Sequence, residues 1–328
     1  MLTDIAAPPR IERSYDFLGL RLCLAGEPSL LAALEARLTS LGAPRGELDD
    51  LRFEFDTGSP PSVGRPPANS RAVYEPEAGQ VVYDAARDRL HIAFADRIRA
   101  ECDPRSGLTR IWVGDRTAAD LWLLSHPILT LPLLETLKRR GLYSLHAAGV
   151  SRAGRALVIV GTSGSGKTTL SLALVRAGFD FLGDDMMFLS TREKQVCLHA
   201  FPDEVDVTET TLAFFPELGQ VLSRPRRPGW PKWSFRAESF YGARIAWSAQ
   251  PAALVFPSIS QTETSRLEPM SAQGALLEML PNVLLTEPSA CQAHLSALAQ
   301  LSAQTPCYRL WTGRDFLDLP GMLGSLLE

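Results

Sequence analysis

Residues 156–189 read ALVIVGTSGSGKTTLSLALVRAGFDFLGDDMMFL, and the rest of the chain can be placed relative to them. Residues 156–160 form a short continuous apolar run, as expected of a buried strand. Gly161, Thr162, Ser163, Gly164, Ser165, Gly166, Lys167 and Thr168 then match the phosphate-loop pattern G-x-x-x-x-G-K-[ST], with Thr169 following. The glycines let the backbone curl so that several N–H groups face one anion. Lys167 has the reach to meet β- and γ-phosphates, and the Thr168 hydroxyl suits Mg²⁺. Leu170, Ala173, Leu174 and Ala177 lie at helical spacing, so a helix should point its positive end at the phosphates and stop at Gly178. A nucleoside triphosphate is the expected ligand.

The chain has 328 residues and 45% apolar content, enough for a substantial core and, by length, two domains. A net charge of −4 offers no electrostatic footprint for nucleic acid or an anionic membrane. The N-terminus MLTDIAAPPR has neither a basic nor an apolar signal region, and residues 121–134 are interrupted by Ser125, His126 and Pro132 and are too short to span a bilayer. Cys23, Cys102, Cys197, Cys291 and Cys307 are scattered, without the spacing of a disulfide framework or a zinc site. A cytoplasmic protein is expected.

In the N-terminal third, residues 18–24 and 51–55 read as strands and 29–41 as a helix. Residues 57–71, TGSPPSVGRPPANSR, read as an exposed loop. The runs VVYD, RLHIAF and TRIWV suggest antiparallel strands, and residues 121–139 suggest one or two helices broken at Pro127 and Pro132. No catalytic cluster stands out in this region, which reads as an α+β domain for substrate binding or assembly over residues 1–140. Residues 141–328 form the second domain, of α/β class.

Upstream of the loop, two apolar runs flank Ser151-Arg152-Ala153-Gly154-Arg155, a hairpin signal. A turn centred on Ala153 pairs Val150 with Ala156, Ala148 with Val158 and His146 with Val160, which puts His146 beside the mouth of the phosphate loop. Downstream, residues 179–182 should be a strand running toward the same face and ending in Gly183-Asp184-Asp185. Adjacent residues of a strand point to opposite faces, but at a strand end one carboxylate can approach a metal while its neighbour approaches a substrate hydroxyl. Further on, Arg224, Arg226, Arg227, Lys232, Arg236 and Arg244 interleave with Trp230, Trp233 and Trp247. That segment suits closure over phosphates, the grip of an acidic substrate, or a solvated loop with its aromatics packed below. Glu209 is a further candidate metal ligand. Strands at residues 253–256 and 308–311 and helices at 271–279, 293–303 and 316–327 complete the domain.

His146, the loop Gly161–Thr168, the helix ending Arg176-Ala177-Gly178 and the pair Asp184-Asp185 together resemble the HPr kinase/phosphorylase family. The resemblance implies the HPr kinase/PEP carboxykinase-like P-loop fold, ATP and Mg²⁺ as ligands, and a serine kinase activity. It implies that Lys167 holds the transferred phosphoryl group and Thr168 binds Mg²⁺, with Asp184 assisting the metal. It further implies that Asp185 accepts the seryl proton and that His146 lies near the phosphates. HPr kinases are hexamers, so a homo-oligomer is implied as well. The family's downstream segment, with a Glu and an Arg-Gly-Leu-Gly run, is absent from residues 190–250. Divergent relatives include tailoring kinases that phosphorylate a serine of a ribosomal peptide precursor, lasso peptides among them, and a peptide or protein acceptor of that kind suits this chain better than HPr. Two alternatives stay open: a kinase of free serine or a similar metabolite, and a nucleotide-sensing module with little turnover. The chain has no N-K-x-D guanine motif and no L-S-G-G-Q signature.

Overall fold

The structure is a computed structural model. It describes residues 9–43, 50–57, 70–74, 79–94, 97–114, 118–201, 203–226 and 230–328. The chain divides into two compact units, Met1–Arg140 with Leu285–Pro288, and Gly141–Leu284 with Ser289–Glu328. Each contains a large sheet with helices, and the architecture is mixed α/β.

The first unit is built on eight strands: β1 (Ile11–Phe17), β2 (Leu20–Gly26), β3 (Leu51–Thr57), β4 (Arg71–Tyr74), β5 (Gly79–Asp84), β6 (Arg89–Phe94), β7 (Ile98–Asp103) and β8 (Leu108–Val113). Their order is β1-β2-β3-β8-β7-β6-β5-β4. β3 is parallel to β2 and β8, and helix α1 (Pro28–Leu38) supplies the crossover that a parallel pair requires. Along β3, Leu51, Phe53 and Phe55 are buried while Arg52 and Glu54 alternate to the other face. The strand expected at 18–24 is present from Leu20 onward as β2, and Leu18 and Gly19, at φ 55° and 84°, form the turn from β1. Most of the loop expected at 57–71 lies outside the described residues.

Pro127 and Pro132 do not break the helical stretch. Helix α2 (Ala118–Leu123) passes into a π turn, Leu124–Ile128, that contains Pro127, and α3 (Leu129–Lys138) follows with Pro132 near its start. The wider i→i+5 spacing accommodates a residue that has no N–H and whose ring crowds the i−4 carbonyl. At the end of α3 the fully buried Glu135 accepts hydrogen bonds from Lys138 Nζ (3.1 Å), Thr286 Oγ1 (2.5 Å) and Arg139.

The second unit holds the stretch 156–189. Strands β9 (Tyr143–Leu145), β10 (Ala147–Arg152), β11 (Arg155–Val160), β12 (Asp180–Gly183), β13 (Met187–Arg192) and β14 (Gln195–Ala200) join β17 (Ser248–Ile259) in the order β12-β10-β11-β17-β14-β13-β9. β19 (Cys307–Thr312) adds to β17, and β18 (Arg266–Met270) to β19. A separate small pair is formed by β15 (Val205–Val207) and β16 (Trp233–Phe235). β11, β17 and β19 are parallel. β10 is antiparallel to both β11 and β12, so these two run in the same direction with β10 between them.

The β10–β11 register differs by one residue from the sequence expectation. The hairpin closes through Ala153 and Gly154 alone, at φ 51° and 77°, so Val150 pairs with Leu157, Ala148 with Ile159 and Ala147 with Val160. Two residues at positive φ match the right-handed twist of the strands they join. His146 therefore lies before the ladder, and its N–H donates to Asn282 O at 2.9 Å.

Leu157 and Ile159 pack with Ala148 and Val150 of β10 and with Leu170, Ala173 and Leu174 of helix α4 (Lys167–Arg176). Val158 and Val160 face the other way, with Leu182, Phe256, Met279 and Leu298. The continuous apolar run is thus a strand covered on both faces. The helix expected at 316–327 is a 3₁₀ turn, a short helix Leu319–Gly324 and a second 3₁₀ turn.

Candidate active site

The loop after β11 folds for local reasons. A Cβ on Gly161 would lie 2.6 Å from Ser165 Oγ, and Gly164 and Gly166 sit at φ 82° and 95°. Ser165 N–H donates to Thr162 O at 3.2 Å, closing the curl, and Thr162, Ser163 and Gly164 form its exposed crest. Gly166 is the N-cap of α4 and Lys167 its first residue, with Thr168 and Thr169 in the first turn, where free N–H groups and the helix dipole favour an anion. Lys167 is buried, and its Nζ donates to Gly161 O at 2.7 Å and Thr162 O at 3.3 Å. Burial lowers the pKa of this ammonium, while the charges of Asp184 and Asp185 oppose the shift. At its other end α4 stops at Ala177, with Gly178 at φ 88°.

β12 delivers the aspartates to the same sheet edge. Gly183 is required there, because a Cβ would meet Met186 O at 2.7 Å and Phe201 O at 3.1 Å. Beyond it the two carboxylates separate. Asp184 is buried and accepts from Thr168 Oγ1 at 2.7 Å and Ser171 Oγ at 2.6 Å. Burial pushes its pKa up to about 6; the charge of Asp185 acts in the same direction, and the two hydroxyls and Lys167 act against it. The Asp185 side chain is 70% exposed and lies 3.2 Å from His146 Nδ1. The pKa of His146 is lowered by burial, with Asp185 opposing and Lys167 and Lys232 adding to the decrease, so the ring is neutral at pH 7.

The structure therefore gathers Lys167, Thr168, Asp184, Asp185 and His146 around one loop. Glu209 stands apart, exposed at the head of the short helix Glu209–Leu212. No group of three His, Cys, Asp or Glu side chains converges as a metal cage among the described residues. The Thr168 hydroxyl and Asp184 carboxylate do fit Mg²⁺, a hard ion that keeps several waters and takes only one or two protein oxygens. The loop also fits a phosphate: its crest is exposed and nothing lies within 4 Å of a Cβ added at Gly164 or Gly166.

One contributor was not anticipated, and another came from a segment already singled out. Ser171 lies three residues after Thr168, on the same helix face, which was a readable signal. Lys232 acts electrostatically on both Lys167 and His146. It belongs to the Arg/Trp-rich segment, where Trp233 is buried beneath the Arg226 guanidinium at 4.7 Å, and Trp230 Nε1 and Ser234 Oγ donate to Asp206 at 3.2 and 2.5 Å.

No family model matches this chain, and no curated protein matches it. Among solved structures it is similar to the Hpr(Ser) kinase/phosphatase from Coxiella burnetii, with a TM-score of 0.31 and 12% identity over 56% of this chain and 93% of that chain. So slight a likeness leaves the functional reading to the site itself.

Proposed function

We propose that this chain is a kinase that transfers the γ-phosphoryl group of ATP to a serine hydroxyl of a peptide or protein. The supporting observation is the division of roles in the aspartate pair. Asp184 is buried against Thr168 and Ser171, whereas Asp185 is open to solvent beside His146. One carboxylate suits a cation and the other an incoming hydroxyl. Bound Mg²⁺, held by Thr168 and Asp184, would neutralise charge on the phosphate oxygens. Lys167 would exchange the carbonyls of Gly161 and Thr162 for phosphate oxygens, and the loop N–H groups would hold the rest of the triphosphate. Asp185 takes the proton from the seryl O–H as the oxygen bonds to the γ-phosphorus. The bond to the bridging oxygen breaks, and ADP leaves with that electron pair. Neutral His146 orients Asp185.

The motif resemblance to HPr kinases supports the same assignment, including the PEP carboxykinase-like P-loop fold and a homo-oligomer. A role for the first unit in acceptor binding or assembly belongs to the same proposal, as does a cytoplasmic location. No helix among the described residues is long and apolar enough to cross a membrane.

The test uses labelled ATP with serine-containing peptides on one side and free serine on the other. Transfer to peptide alone supports the proposal, and transfer to free serine in the absence of peptide would move the assignment to a small-molecule kinase. Asp185→Asn should lower transfer by about 10²–10⁴-fold, the usual contribution of a general base, with ATP affinity within about 2-fold of wild type. Wild-type transfer by that variant would refute the role of Asp185.

A further inference from the structure

We propose that Arg224 and Arg226 form a docking surface for an acidic stretch of the acceptor, a role that rests on the peptide or protein acceptor proposed above and not on the chemistry at the phosphate loop.

The Arg/Trp-rich segment divides into an aromatic floor and the cations above it. Trp233 and Phe235 are buried on one face of β16, and the Phe240 ring meets Phe235 edge-on with centroids 5.0 Å apart. Over this floor lie two guanidinium groups. That of Arg226 is 4.7 Å from the centre of the Trp233 ring, and that of Arg224 is 5.5 Å from the centre of the Phe240 ring. A guanidinium held over a ring by cation–π attraction is pre-organised, and its planar fork still has N–H groups to donate. Local sequence sets the pair. Arg224 follows the 3₁₀ helix Pro216–Ser223 in the extended conformation that a following proline favours, and that proline is Pro225. Alternate residues of an extended backbone share a face, so Arg224 and Arg226 point the same way, about 7 Å apart along the chain.

Both arginines are exposed, and neither has an ion-pair partner among the described residues. The acids of the surrounding elements are engaged elsewhere. Glu217 of the 3₁₀ helix accepts from Tyr241 Oη at 2.9 Å and pairs with Arg176 at 3.4 Å. Glu238 of the short helix Ala237–Tyr241 pairs with Arg236 at 3.2 Å, and Asp206 of β15 accepts from Trp230 and Ser234. An extended peptide presents its residues i and i+2 on one face at the same spacing of about 7 Å, so a Glu-x-Glu stretch sets one carboxylate before each guanidinium. Charge also sets the class of partner. The chain as a whole carries −4, which repels an acidic ligand, so attraction has to come from a local uncompensated pair. A nucleic-acid backbone is held by a longer run of cations, on the order of 6–10 phosphate contacts, than these two supply.

Peptide binding tests the proposal without catalysis. A labelled serine peptide containing Glu-x-Glu and the same peptide with Gln-x-Gln are titrated with the full chain, and affinity is read by fluorescence anisotropy. The proteins are wild type, Arg224→Gln/Arg226→Gln, and the charge-matched control Arg155→Gln/Arg192→Gln at two other exposed arginines, each shown by melting curves to be folded. Wild type should prefer the acidic peptide by about 10-fold, and Arg224→Gln/Arg226→Gln should lose that preference while the control keeps it. Rising salt should weaken the wild-type complex. Equal affinity of wild type for the two peptides, no binding of either, or an equal loss in the control would overturn the docking surface. So would displacement of the acidic peptide by a single-stranded oligonucleotide at lower concentration than by unlabelled Glu-x-Glu peptide, which would point to nucleic acid instead. Phosphoryl transfer to peptide without acidic preference would leave the kinase reading standing, whereas transfer to free serine alone would remove the peptide acceptor itself.

Discussion

Asp184 is a buried carboxylate whose pKa is raised from the ordinary 3.8 to about 6, and that shift has a measurable consequence for stability. Between these two values the folded chain retains a proton that the unfolded chain has released. Stability must therefore fall as pH rises from about 4 to about 6 and stay level above, the reverse of the usual salt-bridged carboxylate. The shift from 3.8 to about 6 corresponds to about 3 kcal/mol. Asp184→Asn removes the charge and keeps one acceptor oxygen for Thr168 or Ser171. Losing the charge-assisted character of these bonds costs about 1 kcal/mol, so the variant should be about 2 kcal/mol more stable than wild type at pH 8. For a unit of this size that is about 4–8 °C in melting temperature. Calorimetric melts of both proteins in chelator, from pH 4 to pH 8, give the result directly. The advantage of Asp184→Asn should grow between about pH 4 and pH 6 and then hold. Added Mg²⁺ should raise the wild-type melting temperature and leave the variant unmoved, because the cation offsets the cost of burying the charge. A difference between the two proteins that does not change with pH, or that shrinks as pH rises, would refute the placement of Asp184 as a buried, titrating carboxylate.

Two further outcomes follow from packing. Gly183→Ala should lower transfer at least 10-fold and destabilise by about 1–3 kcal/mol, because its Cβ would press on the carbonyls of Met186 and Phe201 and displace the aspartates behind it; unchanged melting and activity would show that the strand end yields without cost. In the first unit, Glu135→Ala removes the buried carboxylate that Lys138 and Arg139 share and should cost about 3–5 kcal/mol in the melting of that unit. A loss below about 1 kcal/mol would mean that the remaining contacts of Lys138 and Arg139, Thr286 Oγ1 among them, carry the charge.

The glycine loop at residues 161–168 was readable because its requirements are local. Positive φ at Gly164 and Gly166 and contact at Gly161 are properties of a few consecutive residues. The divergence of Asp184 from Asp185 was readable as well, since neighbours at a strand end point in different directions. The hairpin register was not. It depended on Ala153 accepting φ 51°, a conformation that costs a residue with a Cβ and is enforced only by the two strands it joins. Pro127 misled because proline removes an α-helical hydrogen bond and crowds the preceding turn, whereas here a single π turn absorbs it. β7 went unseen although Ile98, Ala100 and Cys102 alternate with Arg99, Glu101 and Asp103, because its charges mimic a loop.

The site's geometry follows from placing an antiparallel strand between two that run alike. Neighbouring strands lie about 4.8 Å apart, so the ends of β11 and β12 are separated by about 10 Å, with β10 between them. Helix α4 packs over β10, through Leu170 and Ala173 against Ala148 and Val150, and this carries Thr168 and Ser171 toward Asp184. Because β10 runs opposite to its neighbours, it begins where they end, and the residue before its first pair is His146. A parallel strand in that position would bring its own C-terminal end to the edge and take His146 to the far side of the sheet. The reversal is what allows three adjacent strands to contribute a cation, a histidine and a carboxylate to one place.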